Sequence, residues 1–268
     1  MTGALEYEET GRGRPVVLLH GLVLHAGFWR KVVPLLADEL RCIAPTLPLG
    51  GHSRPMPADA DLSPPGLAGL VADLLEQLDL HDVVLVGNDT GGALAQILVT
   101  TRPERVGALV LTPCDAFGRF FPWQFKPLQA LGHVPGSTVV AAQATRLAAV
   151  RRAKLGFGLL TKHGIPDDVT ASYVAPLRSS ADVRRDFAKV LRGIRRRHTL
   201  EAAERLRDFR RPALIAWAAE DKVFPVGDAR RLASVLTDAR VELVHDSLTY
   251  IPEDQPERLA ALIRDFSA

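Results

Sequence analysis

The segment from Val83 to Gly92 constrains the fold of this chain more than any other and reads V-V-L-V-G-N-D-T-G-G. Its four apolar β-forming residues predict a buried strand, and the small residues that follow predict a sharp turn into a helix. Glycine is required two residues before and two residues after the apex, because a Cβ there would collide with neighbouring backbone. The turn therefore directs the Asp89 side chain away from the sheet and toward a cavity. A simple helix-capping role for Asp89 is the alternative, and it leaves the flanking glycines unexplained.

Strand and helix patterns alternate on both sides of this turn. Since parallel neighbours need crossovers that are usually helical, the alternation predicts a mostly parallel sheet with helices on both faces and a site at the carboxyl ends of the strands. The turn residues 10–15 predict a hairpin between the first two strands. The predicted strands are 5–9, 16–20, 41–44, 83–86, 105–112, 213–218 and 241–245, and the predicted helices are 28–40, 67–78, 91–101, 226–236 and 256–266.

Residues 115–200 interrupt the alternation. They open with a cluster of aromatic residues and continue as helical segments without strong strands, so we expect an insertion between a core of residues 1–114 and 201–268. Within the aromatic cluster, Phe121 and Trp123 are candidate contacts for an apolar or aromatic ligand, and His25 is a further candidate contact. Packing of the aromatic residues against the core is equally open.

These features resemble the α/β-hydrolase superfamily, and the D-x-G-G elbow resembles its haloalkane dehalogenase and epoxide hydrolase branch, in which the nucleophile is an aspartate. The resemblance implies an α/β-hydrolase fold, a helical cap at 115–200 and Asp89 as the nucleophile. His20-Gly21 is similar to the oxyanion loop, which implies that the backbone NH groups of Leu22 and Thr90 form the oxyanion hole. The stretch W-A-A-E-D-K-V-F-P is similar to the loop that supplies the acid, which implies Asp221.

The catalytic histidine of that branch is missing. The matching segment, residues 246–256, carries Thr249 at the histidine position, while Glu253 and Pro256 keep the expected spacing. His245 lies four residues upstream, and four residues of extended chain span roughly 13 Å, which is too far for its imidazole to replace a side chain at 249. We therefore expect no histidine at the position of the base.

Without that base, an ester formed on Asp89 should persist. Another group, such as His245, His25, Asp115 or Asp221, is then needed for hydrolysis; otherwise Asp89 transfers protons without a covalent intermediate, or the protein only binds a ligand. The resemblance also disfavours dehalogenation. Haloalkane dehalogenases hold the departing halide with a tryptophan directly after the nucleophile, whereas Thr90 follows Asp89 here, and Leu22 follows His20-Gly21. Epoxide hydrolases open the ring with two tyrosines of the cap, and the predicted cap of this chain contains only Tyr173, so epoxide opening is disfavoured as well.

Composition excludes several other classes of function. The chain has 268 residues, 47% of them hydrophobic, and a formal charge of +2, which gives no field that favours nucleic acid or an anionic membrane. Two cysteines, Cys42 and Cys114, do not make a disulfide framework or a metal site. The first ten residues lack a signal peptide pattern, so we expect a cytoplasmic protein with no metal, cofactor or membrane partner. The oligomeric state stays open.

The leading hypothesis is a non-standard hydrolase of a small apolar organic substrate, with Asp89 as nucleophile or acid–base group and Asp115 and Asp221 as further acids. The alternative is a lyase, cyclase or isomerase of secondary metabolism in which Asp89 transfers protons. A ligand-binding pseudoenzyme is the third hypothesis.

Overall fold

A computed structural model describes residues 5–268 and contains a sheet of seven strands in the order β1-β3-β2-β4-β5-β6-β7. Only β1 is antiparallel to its neighbour, and every other pair is parallel. The predicted α/β-hydrolase fold is confirmed. The strands are β1 Glu6–Thr10, β2 Arg14–Leu19, β3 Leu40–Thr46, β4 Val83–Asp89, β5 Val106–Cys114, β6 Ala213–Ala218 and β7 Ala239–Val244.

Helices cover both faces of the sheet. The α-helices are α1 Val33–Leu36, α2 Pro64–Gln77, α3 Thr90–Thr101, α4 Lys126–Ala130, α5 Ser137–Ala144, α6 Ala148–Arg152, α7 Asp167–Ser179, α8 Ala181–Gly193, α9 Arg196–Arg205, α10 Val226–Val235, α11 Ile251–Asp254 and α12 Pro256–Ser267. Short 3-10 turns lie at Ala26–Trp29, Pro103–Arg105, Trp123–Phe125, Leu131–His133 and Leu206–Asp208, and a π-helical turn lies at Lys154–Gly158.

The predicted hairpin between the first two strands is wrong. β1 pairs with β3, where Glu6 faces Thr46, and β3 also pairs with β2, so β3 separates the first two strands. The cause lies in their composition: β1 is exposed along its whole length, whereas the apolar residues of β2 are buried. A strand buried on both faces takes a central place in the sheet, and an exposed one is left for the edge.

The predicted helix over residues 28–40 is also wrong. The segment forms the 3-10 turn Ala26–Trp29 and then the four-residue helix α1, and β3 already begins at Leu40. Pro34 lies at the start of α1. Its ring would clash with a carbonyl of the preceding turn, and it has no NH to donate, so a continuous helix through this position is excluded.

Between β5 and β6 the chain forms α4 to α9 and adds no strand to the sheet among the described residues. The last of these helices, α9, crosses the predicted boundary at residue 200 and packs on α3. No helix in residues 5–268 combines the length and the apolar character that crossing a bilayer requires.

The strand order places a crevice between β2 and β4. The chain leaves β2 toward β3 on one side and leaves β4 toward β5 on the other, so the loops at their carboxyl ends diverge. Ligands of open α/β sheets bind at such a switch point. The loop after β2 carries His20 to Leu22, and β4 ends at Asp89.

Candidate active site

Asp89 lies at the apex of the turn between β4 and α3, with φ 53° and ψ −128°. A non-glycine residue in this conformation is strained, and such strain is typical of functional sites. The flanking glycines are required by space: a Cβ on Gly87 would lie 2.6 Å from the Cα of Gly92, and one on Gly91 would lie 2.4 Å from the carbonyl oxygen of Leu19. The sequence around Asp89 therefore fixes the turn, and the side chain at its apex remains free for chemistry.

The Asp89 carboxyl group is half-buried at the bottom of the cavity, next to the backbone of the β2 loop, where a Cβ on Gly21 would lie 2.1 Å from Asp89 Oδ2. Burial raises the pKa of Asp89 to about 7, while the NH groups of Thr90 and Leu22, which face the carboxylate, and the charge of Asp221 have smaller effects. The two backbone groups predicted as an oxyanion hole thus lie beside the elbow carboxylate. At neutral pH Asp89 is present in both its charged and neutral forms.

Asp115 is a second buried carboxyl group at the same edge of the sheet, directly after β5. Burial and the nearby charge of Asp89 raise the pKa of Asp115 well above its usual range. Its Oδ2 accepts a long hydrogen bond of 3.4 Å from the Thr90 hydroxyl, and its Oδ1 has no partner within the described chain. Because Asp89 has two backbone NH groups nearby and Asp115 has only this hydroxyl, the pair holds its negative charge on Asp89.

Asp221 is fully occupied by donors of its own loop and of the segment after β7. Its Oδ1 accepts from the NH groups of Val223 and Phe224, both at 2.7 Å, and its Oδ2 accepts from the Thr249 hydroxyl at 2.9 Å. Burial raises the pKa of Asp221 to about 6, although the hydrogen bonds from these donors lower it. Thr249 thus takes the hydrogen bond that a histidine at this position would make, but its hydroxyl is not a base at neutral pH.

Within residues 5–268, no histidine lines the cavity above Asp89. His20 is buried, accepts from the NH of Leu47 at 2.9 Å and contacts the Gly21 carbonyl, and burial lowers its pKa to about 3. His25 caps the 3-10 turn at Gly27 and packs against the ring of Tyr173. His245 is exposed just beyond the end of β7. The histidines nearest in sequence to the site therefore have structural or surface positions.

The cavity has a volume of about 610 Å³. We call its sheet side the floor, formed by Leu22, Val23, Asp89, Asp115 and Tyr250, and its opposite side the roof, formed by residues between Phe121 and Phe187. The roof is almost entirely apolar. The charged residue that it does contain is Arg151, whose side chain donates to Thr170 and to the carbonyls of Thr145, Arg146 and Asp167.

Sequence reasoning missed two residues of this site. Tyr250 lines the floor next to Thr249, and burial together with the charge of Asp89 raises the pKa of its phenol well above its usual range. Asn88 is buried below the elbow and donates at 2.8 Å to both the Thr249 carbonyl and the Thr112 hydroxyl. A polar residue beside the elbow and a tyrosine beside the histidine position were the available signals.

The candidate ligand contacts behave differently from one another. Phe121 lines the cavity, whereas Trp123 is 73% exposed and lies outside the lining, so a ligand in this cavity would contact Phe121 and not Trp123; ligand contact by either residue stays a prediction. One residue lies between them on a turn, and the turn directs only Phe121 inward. His25 is also outside the lining. In residues 5–268 no cluster of three or more His, Cys, Asp or Glu side chains is arranged to hold a metal ion.

Comparison with known proteins identifies relatives over nearly the whole chain. Residues 14–256 match the family described as alpha/beta hydrolase fold. Haloalkane dehalogenase 2 of Mycobacterium tuberculosis is 27% identical over 97% of this chain and 90% of its own length. The 2-hydroxymuconate semialdehyde hydrolase of a Pseudomonas species is 28% identical over 97% and 89%. The crystal structure of a putative ancestral haloalkane dehalogenase superposes with a TM-score of 0.81 at 23% identity, covering 98% of this chain and 94% of that one.

Proposed function

This chain belongs to the α/β-hydrolase family, and we propose that it is an enzyme that transforms a small apolar organic molecule through proton transfer by Asp89. The observation that carries the proposal is the elbow carboxyl group on the floor of an apolar cavity whose lining, within residues 5–268, contains no histidine. A family member with this arrangement retains the apex carboxylate and the nearby NH groups, but lacks the base that releases a covalent ester. Its activity is therefore that of a lyase, cyclase or isomerase.

Three groups of the floor have distinct roles in this chemistry. Asp89, with a pKa near 7, removes a proton from a C–H or O–H bond of the substrate and returns it to another atom, so bonds rearrange without water. Tyr250 keeps its proton, because its pKa is raised well above its usual range, and donates a hydrogen bond to an oxygen that becomes negative. The Leu22 and Thr90 NH groups hold the Asp89 carboxylate in position.

Hydrolysis through an Asp89 ester is the second candidate, and the position of Asp115 favours it. In that reaction an Asp89 oxygen bonds to a substrate carbon and the leaving group departs with its electron pair. Water then attacks the ester carbonyl and gives its proton to Asp115, whose Oδ1 is without a partner among residues 5–268. The bond between the Asp89 acyl carbon and the substrate oxygen breaks, and that oxygen takes the proton from Asp115, which leaves an alcohol and the Asp89 carboxyl group. The raised pKa of Asp115 argues against this role, because a base must be unprotonated at working pH.

The substrate class follows from the cavity and is supported by the relatives. A volume of about 610 Å³ with an apolar roof fits a small organic molecule that has a polar group directed to the floor. The names of the relatives place haloalkanes and a muconate semialdehyde among their substrates. We further propose that residues 115–200 act as a cap, since all of the roof residues belong to them.

Isotope labelling separates the two reactions. The protein is incubated with unsaturated ketones, esters, epoxides and haloalkanes, once in D₂O and once in H₂¹⁸O, and products and intact protein are measured by mass spectrometry. Proton transfer predicts deuterium in the product and no ¹⁸O in product or protein, and the Asp89→Asn variant should show neither. Incorporation of ¹⁸O together with an adduct on Asp89 would overturn the proposal in favour of hydrolysis.

The Asp115→Asn variant provides a second discrimination. If Asp115 stays protonated throughout the reaction, asparagine preserves the neutral group and turnover should stay within about threefold of the original protein. If Asp115 accepts the proton of water, turnover should fall by about 100-fold or more, because a positioned general base contributes rate enhancement of that order.

Thr249→His tests whether only the base is missing. The new imidazole would replace the Thr249 hydroxyl on Asp221 Oδ2, where that hydroxyl lies at 2.9 Å, and face Asp89. We expect ester or epoxide hydrolysis to appear in this variant and proton-transfer activity to fall. Thr249→Val is the matched control, since it removes the hydroxyl without adding a base. Hydrolysis at equal rates in both variants would contradict this assignment.

A further inference from the structure

The segment that supplies much of the roof has an unusual distribution of charge along the sequence. Residues 116–166 contain seven lysines and arginines and no aspartate or glutamate, so all 31 acidic residues lie elsewhere in the chain. The overall charge of +2 conceals this asymmetry. Arg146 and Lys154 are exposed, and neither side chain forms an ion pair or hydrogen bond within residues 5–268. The seven are Arg119, Lys126, Arg146, Arg151, Arg152, Lys154 and Lys162. Arg119, Arg152 and Lys162 pair with acidic residues from outside the segment and Arg151 is buried, so among residues 5–268 the cations of this segment without an ion pair are Lys126, Arg146 and Lys154.

Exposed aliphatic side chains accompany these cations. Val140 is 71% exposed, Leu147 64% and Leu155 54%, and Val134 and Val139 are also exposed. We call these five aliphatic residues, with Arg146 and Lys154, the outer roof surface. All five lie between residues 134 and 155. Exposed apolar side chains that form a contiguous patch mark interaction surfaces.

The outer roof surface is continuous with the cavity. On α5, Val140 faces solvent while Ala141 and Ala142 line the cavity, so a single helix separates the two. Leu155 is both exposed and part of the cavity lining, which places it at the mouth. An apolar molecule at this surface would therefore lie beside the entrance to the cavity.

We infer that the outer roof surface binds an anionic lipid bilayer, with the aliphatic side chains at the depth of the acyl chains and Arg146 and Lys154 at the headgroups. Apolar side chains flanked by cations are the pattern of peripheral membrane contacts. A second copy of this chain is the poorer occupant, because a two-fold interface would place the same unbalanced cations against each other. The surface would take an apolar substrate directly from the bilayer, and its binding does not depend on which reaction Asp89 performs.

Co-sedimentation with vesicles tests the inference. The intact protein is mixed with vesicles of phosphatidylcholine alone and with vesicles that contain about one third phosphatidylglycerol, at low and at high salt. We expect binding to the anionic vesicles that is at least tenfold stronger than to neutral ones and that weakens with salt. Equal binding to both compositions, or none to either, would overturn the inference.

Surface variants then locate the contact. The double variant Val140→Asp with Leu147→Asp, and the double variant Arg146→Glu with Lys154→Glu, should each lower binding to anionic vesicles at least tenfold. The matched control is Leu243→Asp, because Leu243 is exposed on β7, away from the roof. Loss in the control equal to that in the roof variants would refute the assignment, and circular dichroism checks that each variant is folded.

Two further readouts separate bilayer binding from the chemistry of Asp89 and from self-association. Asp89→Ala should bind vesicles as strongly as the original protein, so a failure of the proposed chemistry leaves the membrane result unaffected. Sedimentation equilibrium without lipid measures self-association. A dimer that Val140→Asp dissociates, combined with no vesicle binding, would overturn the bilayer as the occupant.

Discussion

The floor and the roof of the cavity are built by different means. Beneath the floor, Asn88, Asp221 and Thr249 are joined by hydrogen bonds of 2.8 to 2.9 Å that link the ends of separate strands. The roof is formed largely by short helices with small aliphatic side chains, such as the eight-residue α5. Individual hydrogen bonds thus hold the residues at the floor, whereas the joint packing of many small side chains shapes the roof. The chemistry should depend on single residues, and the selection of ligands on the summed shape.

The largest effect should follow from replacing Asp89. The other carboxyl group of the described floor, Asp115, stays protonated because its pKa is raised well above its usual range, so Asp89 is the floor carboxylate that can accept a proton. Asp89→Ala is expected to lower kcat/KM by about 1000-fold or more, in the range that general acid–base groups contribute. The fold should persist, since the turn is held by glycines and not by the apex side chain. Steady-state kinetics with a converted substrate and circular dichroism provide the measurement. Unchanged turnover would remove the distinction between floor and roof.

A smaller effect should appear in the pH dependence of stability. The folded-state pKa of Asp89 is raised from 3.8 to about 7, so the folded protein favours the neutral carboxyl group. This contribution is fully present below pH 4 and is lost as the pH rises from about 4 to about 7. Asp89→Asn avoids the loss and should be more stable at pH 8 by on the order of 3 kcal/mol. Thermal unfolding at pH 5 and pH 8 measures the difference, which should shrink at the lower pH.

The smallest effect should come from a single change in the roof. Ala141 lines the cavity, so Ala141→Phe should raise KM for bulky substrates by about 10-fold and leave small ones unaffected, which corresponds to about 1.4 kcal/mol. Val140→Phe is the matched control, because the neighbouring side chain faces solvent. A 1000-fold loss in Ala141→Phe would mean that the roof, like the floor, depends on individual residues.

The sequence predicted the parts of the site that local geometry requires. Gly87 and Gly91 predict the elbow, because a side chain at either position would collide with the neighbouring backbone of the turn. The spacing of Thr249 from Pro256 predicted that Thr249 stands at the position of a histidine, and this replacement stays a prediction. The assignments of catalytic roles to Asp89, Asp115 and Asp221 remain predictions, as does the cap at residues 115–200.

Other parts depended on contacts between distant segments, which a local pattern does not contain. The edge position of β1 follows from its pairing with β3, more than 30 residues away, so the turn residues alone suggested the wrong partner. Trp123 and Phe121 have similar character, and only the path of the backbone decides which one faces the cavity. Tyr250 was missed because its place on the floor depends on how the segment after β7 packs against the rest of the site. The residues around it in the sequence are all buried, so no local pattern distinguishes it from them.

The short helix α11, which follows Thr249 and Tyr250, has a consequence for how such a site diverges. Its Glu253 is held by Arg30, Lys31 and Tyr173, and its Asp254 accepts from the Thr161 hydroxyl and from the NH groups of Lys162, His163 and Leu248. The path of this segment is thereby anchored independently of the side chain at 249. With the chemistry proposed above, position 249 can accordingly exchange a base for a hydroxyl without a shift in register, and hydrolysis can be lost or regained at little structural cost.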